Sequence, residues 1–184
     1  MNKILSACAI AAAFAAMPAS AQWYVGAGVG SSRVTGLDGS ANGFTVSGGD
    51  KNKSSVKVYG GYQLTPTWGL EAQYTDLGKR DVTITPNGSF SGKASQYSLA
   101  VTGTVPLSQS FALIGKLGAS QNKIDGSGSS NKSDVLVGVG VSYSINPKLA
   151  VRLEYEDFGK LGTNTLTGGS IRANNTSLNL QYAF

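Results

Sequence analysis

Val135-Leu136-Val137-Gly138-Val139-Gly140-Val141-Ser142-Tyr143-Ser144-Ile145 alternates without a break. Val135, Val137, Val139, Val141, Tyr143 and Ile145 share one face, and Leu136, Gly138, Gly140, Ser142 and Ser144 share the other. A period of two over about ten residues is the signature of a β-strand with one apolar face. After the turn Asn146-Pro147-Lys148 the same grammar resumes, with Leu149, Val151, Leu153 and Tyr155 opposed by Ala150, Arg152 and Glu154.

Six further segments obey it: 23–32, 56–64, 68–75, 96–105, 111–119 and 175–184. Together they predict eight strands, an even number. Their connections alternate in length. Residues 64–67, 106–110 and 146–148 are short turns, whereas 31–55, 76–95, 120–134 and 156–174 are long and rich in Gly, Ser, Asn and Thr. An up-and-down meander with this rhythm, once closed, puts every long loop at one end and every short turn at the other. That is the organisation of barrels that cross a membrane.

The expected fold is therefore all-β, a closed eight-stranded antiparallel up-and-down transmembrane barrel over residues 22–184. Closure pairs every backbone N–H and C=O without an edge, which a bilayer demands. The Val, Leu, Trp and Tyr face meets lipid, and the Gly, Ser, Thr, Gln and charged face fills an interior only wide enough for side chains. A soluble β-sandwich would share the alternation, but gives less reason for the loop rhythm. Aromatic residues gather near both strand ends, as two interfacial belts require.

Residues 1–21 stand apart. Met1-Asn2-Lys3 is a short positive start, Ile4 to Met17 is apolar or small, and Ala19-Ser20-Ala21 is a cleavage signal before Gln22. This reads as a secretory signal peptide, too short to span a bilayer. Leu5-Ser6-Ala7-Cys8 approximates a lipoprotein-processing box, but the apolar run continues well past Cys8.

Composition narrows the chemistry. The 184 residues include 25 Gly, about twice the usual share. There is no His and one Cys, which removes the usual triad base and any Cys-clustered metal site. Asp38, Asp50 and Asp125 lack the spacing of a Ca²⁺ loop. Gly26, Gly28 and Gly30 lie in an alternating strand with no helix after them, so they are not a nucleotide loop. The chain is expected to be no enzyme, with no catalytic residue, metal or cofactor. Without a concentrated basic stripe, nucleic acid is not an expected partner.

The chain also resembles a known family, the OmpA-type eight-stranded outer-membrane barrels. The resemblance is carried by Gly61-Tyr62-Gln63-Leu64-Thr65-Pro66, Trp68-Gly69-Leu70-Glu71-Ala72-Gln73-Tyr74, Leu77-Gly78, Lys116-Leu117-Gly118, Arg152-Leu153-Glu154-Tyr155 and the stretch from Gly140 to Pro147. The terminal Leu178, Leu180, Tyr182 and Phe184 resemble the signal read by the barrel-assembly machinery. The resemblance implies export through the periplasm to a Gram-negative outer membrane. Larger family members carry a periplasmic peptidoglycan-binding domain, for which the sequence after Phe184 leaves no expected room.

Lys57, Glu71, Lys116, Arg152 and Glu154 fall on the predicted interior face, where isolated charges would be costly and ion pairs are expected. Family members similarly pair acids with bases across the lumen. Ser142 stands where the family often has an acid, so Glu154 is the expected substitute partner. The expected function is a structural outer-membrane barrel with surface-exposed loops, a surface antigen or interaction module. A narrow passive ion or small-solute channel is the alternative. Outer-membrane lipids including lipopolysaccharide, the assembly machinery and an unidentified surface ligand are the expected partners.

Overall fold

The computed structural model describes residues 23–36, 39–41, 44–48, 52–85, 88–125, 130–163 and 170–184. The expected signal peptide lies outside them. The strands are β1 (Trp23–Thr35), β2 (Gly39–Ala41), β3 (Phe44–Gly48), β4 (Asn52–Gln63), β5 (Trp68–Thr85), β6 (Gly88–Pro106), β7 (Phe111–Asp125), β8 (Ser130–Ser144), β9 (Leu149–Thr163) and β10 (Ser170–Ala183). Eight of them form an antiparallel ring in the order β1-β4-β5-β6-β7-β8-β9-β10, and β10 pairs back onto β1. The seam runs through Val25 opposite Tyr182 and Val29 opposite Leu178. Beyond it, the Phe184 N–H donates to the Trp23 carbonyl at 3.0 Å. The fold is the closed eight-stranded barrel that the alternation predicts.

Two features depart from the expected strand map. The short β2–β3 hairpin, inside the expected first long loop, pairs through β3 with the outer part of β5. The expected loops 76–95 and 156–174 are largely strand, because β5 runs to Thr85, β6 starts at Gly88, β9 runs to Thr163 and β10 starts at Ser170. Beyond the apolar band the outer face turns polar, so the period-two signal fades while the backbone ladder continues.

Outward residues are apolar and exposed, including Val29, Leu99, Leu117, Val139, Leu153 and Leu178. In a soluble protein such a surface would be a liability, but here it is the lipid contact. Aromatic pairs sit at both ends of the band. Trp23–Tyr62 and Phe111–Tyr143 lie near the short turns with ring centroids 4.9 Å apart, and Tyr74–Tyr97 lies toward the long hairpins, also at 4.9 Å. Inward glycines make room for large lumen residues: a Cβ on Gly26 would overlap the Tyr59 ring, and one on Gly61 the Tyr24 ring.

Candidate functional site

Alternation on four strands sends charge into the lumen. β4 contributes Lys57, β5 Glu71, β7 Lys116, and β9 Arg152 and Glu154, all buried. The structure brings these five residues together. Lys116 Nζ lies 2.5 Å from Glu71 Oε1 and 2.9 Å from Glu154 Oε1. Arg152 Nη1 donates to Glu71 Oε2 at 3.0 Å, its Nη2 pairs with Glu154, and Lys57 pairs with Glu154 as well.

A sixth member is Glu156, the first residue of the expected long loop 156–174. It is fully buried, accepting from Lys57 at 3.1 Å and from Lys116 at 3.0 Å. The five expected residues carry three cations and two carboxylates, a surplus positive charge in a poorly solvated lumen. Glu156 balances it. The signal was present, since Arg152, Glu154 and Glu156 follow one another at period two on β9.

Neutral groups complete the cluster. The Tyr24 hydroxyl donates to Glu71 Oε2 at 3.1 Å, and Gln181 Oε1 accepts from Arg152 at 2.6 Å. The Tyr59 ring faces all three cations, with Arg152 4.9 Å, Lys57 5.4 Å and Lys116 5.5 Å from its centroid. Each contact is within cation–π reach. On the short-turn side a cavity of about 210 Å³, with Pro66, Pro147 and Gln181 in its wall, ends at Tyr24 and Arg152.

Toward the long hairpins the lumen closes again by a different chemistry. Leu77, Leu136 and Phe158 are fully buried and pack with Val34, Ala94 and Ala173 into an apolar cap. Leu77 and Phe158 lie in the expected loops 76–95 and 156–174. Two matching Asp–apolar–Gly bulges aim them inward. At Asp76-Leu77-Gly78 and at Asp157-Phe158-Gly159 the ladder register slips, and each Gly takes a positive φ, 81° and 69°. The Asp Oδ1 accepts the Gly N–H in both, at 3.0 Å and 2.8 Å. A bulge frees a ladder carbonyl that then needs a donor. Ser32 Oγ donates to the Leu77 carbonyl at 2.8 Å, and Ser120 Oγ to that of Phe158 at 3.0 Å. Between cap and ion cluster, Gln73, Thr75, Gln96 and Ser98 form a polar wall with side-chain atoms lacking a protein partner among the described residues. Buried polar groups of this kind are ordinarily met by water.

The expected assembly-signal residues share one outer face. Leu178, Leu180 and Tyr182 are exposed, and Phe184 packs edge-on to Tyr182 with centroids 5.3 Å apart. Among the described residues no group of His, Cys, Asp and Glu is arranged to hold a metal.

Residues 4–184 match the family model described as "Outer membrane protein beta-barrel domain". The chain belongs to that family. It is a Gram-negative outer-membrane barrel, and its outer wall contacts membrane lipid. Outer membrane protein A of Shigella flexneri is 29% identical over 202 residues, covering 100% of this chain and 56% of the relative. The chain thus spans about half the length of the relatives it matches. OprG of Pseudomonas aeruginosa has the same fold, with a TM-score of 0.65 at 13% identity over 89% of this chain and 96% of that one. Ail of Yersinia pestis, solved in complex with the heparin analogue sucrose octasulfate, gives 0.57 at 19% identity, over 89% of this chain and 99% of that one.

Proposed function

We propose that this barrel is a sealed scaffold that displays its long hairpins at the cell surface, rather than a conduit. The observation that carries this reading is the pair of barriers in series, the neutral six-member ion cluster and the apolar cap. A continuous pore needs a hydrated path with sites an ion can enter and leave. Three cations locked to three carboxylates offer no exchangeable site, and an apolar constriction resists wetting.

The long hairpins reach beyond the apolar band and are the surface elements, available to an unidentified ligand or to immune recognition. The short turns face the periplasm. Leu178, Leu180, Tyr182 and Phe184 form the strand by which the assembly machinery engages the chain before β10 closes on β1. Lipopolysaccharide surrounds the outer-leaflet half of the wall. Liposome swelling tests the sealed lumen: vesicles loaded with folded protein should swell in arabinose no faster than empty ones. Swelling that rises with the amount of folded barrel would favour the channel alternative.

A further inference from the structure

The lumen has a third compartment that neither barrier explains, the cavity of about 210 Å³ at the short-turn end. It follows from the alternation. The last inward residues around it are short, with Thr104 on β6, Ala112 on β7, Ser142 and Ser144 on β8 and Ala150 on β9. Side chains of this size do not meet across the ring, so the lumen stays open from the turns as far as Tyr24 and Arg152. At ~30 Å³ each it has room for about seven waters.

Its wall carries charge of one sign. Arg152 forms the floor and exposed Lys148 stands at the mouth, and among the described residues no Asp or Glu lines the space between. Asn146 Oδ1, also at the mouth, is already taken by the Lys148 and Leu149 N–H groups, each at 2.9 Å.

Arg152 has a donor to spare. Its Nη1 serves Glu71 and Gln181 and its Nη2 serves Glu154. Nε has no partner among the described residues, although the side chain is only 3% exposed. A buried donor left unmet is costly, the more so when it belongs to a charged group. Ser142 is directly opposite Arg152 on β8, and its short neutral side chain brings no charge to that donor. Gln181 Oε1 accepts from Arg152, which leaves the amide N–H₂ of Gln181 as a second donor in the same wall.

We infer that this vestibule binds a small carboxylate, whose oxygens accept the Arg152 Nε–H and the Gln181 amide and whose charge faces Lys148. Charge-assisted hydrogen bonds to a carboxylate are the strong ones, and its two oxygens suit two neighbouring donors. The six charges of the ion cluster already sum to zero, so a monoanion here is set against Lys148. The volume is below the ~300–1,000 Å³ of pockets for drug-sized ligands, which limits the occupant to a few carbons. Beyond Arg152 the ion cluster blocks the lumen, so the ligand leaves by the mouth it entered. That this mouth faces the periplasm rests on the proposed orientation; the binding chemistry does not.

The test is a titration of isotope-labelled barrel in lipid nanodiscs with butyrate and with its neutral analogue butyramide, followed by NMR of the Arg152 Nε–H and the Gln181 amide. Heat-modifiable gel mobility confirms that each variant is folded. Butyrate should shift both signals saturably, and butyramide at the same concentrations should not. Ser142→Asp supplies an internal carboxylate directly opposite Arg152, and should weaken butyrate binding about tenfold, the worth of one hydrogen bond to a charged group. Lys148→Ser should weaken it about threefold, as expected of an exposed charge. Its place in an exposed turn keeps the test decisive if Ser142→Asp does not fold. An equal response to butyramide, or unchanged butyrate affinity in the folded variants, would overturn the site. The same saturable shifts with chloride at equal concentration would overturn the assignment to a carboxylate. Conductance does not enter the readout, so a leaky lumen and an empty vestibule are separable failures.

Discussion

Glu156 Oε1 lies 3.0 Å from Lys116 Nζ, and with this carboxylate the buried charges of the lumen sum to zero among the described residues. Lys116 meets three carboxylates at once, Glu71, Glu154 and Glu156. Lys116→Ala therefore strands negative charge, and should destabilise the barrel by roughly 3–5 kcal/mol. Urea titration of folding in lipid vesicles reads this loss. Adding Glu156→Gln to Lys116→Ala should recover part of it; a double variant no more stable than the single one would show that Glu156 is not the balancing charge.

The apolar cap depends on Phe158 and Leu77, both fully buried. Phe158→Ala should cost about 3–5 kcal/mol and Leu77→Ala about 2–5 kcal/mol in the same titration. A loss below about 1 kcal/mol at both positions would mean that the cap is not packed.

Gly78 and Gly159 are held at positive φ by their bulges. Replacing either with Ala should cost roughly 1–2 kcal/mol from the left-handed backbone alone. The larger loss belongs to Gly159, where a Cβ would come 2.6 Å from Asp134 Cγ. Equal or negligible losses at the two sites would contradict the bulge geometry.

Backbone N–H donors from Lys160 and Val135 hold the Asp134 carboxyl below its usual range, helped by the nearby Lys160 and Arg172 charges. A depressed folded-state pKa gives stabilisation that is complete above the ordinary Asp value of about 4 and is lost as pH falls through the lowered one. The Lys160 amide should thus keep its hydrogen-exchange protection, corrected for intrinsic rates, at pH 5 and lose it in stronger acid. In Asp134→Ala the protection should be low throughout. The same acid-dependent loss in that variant would rule out the carboxylate as its cause.

Phe184 closes the outer face of β10 and ties its end to Trp23. Deleting Phe184 should lower outer-membrane yield and raise periplasmic degradation more than substitution of Ser129 does, measured by cell fractionation. Equal yields would count against the assembly role.

Most of the architecture was legible because lipid on one side and a crowded lumen on the other enforce strict alternation. The eight runs from Trp23 to Phe184 could be read residue by residue, as could the inward set of Lys57, Glu71, Lys116, Arg152 and Glu154. Legibility failed where the bilayer stops enforcing contrast. Beyond Asp76 and Asp157 each outer face turns polar, so strand and loop look alike in sequence. There the bulges turn Leu77 and Phe158 into lumen residues by a backbone register shift, which composition does not encode. Glu156 is obscured for a simpler reason: it opens the polar stretch 156–174, although it continues the inward face of Arg152 and Glu154.

Single-channel recording in planar bilayers tests the sealed lumen most directly, using wild type, Lys116→Ala, the double variant L77S/F158S, and the combination of all three substitutions. With two barriers in series, wild type and Lys116→Ala should show no sustained conductance, because the cap remains closed. The L77S/F158S barrel should also stay closed, held by the ion cluster, and only the combined variant should conduct. Reproducible, sustained conductance from homogeneous folded wild-type barrel would contradict the sealed scaffold, and opening by Lys116→Ala alone would contradict the second barrier.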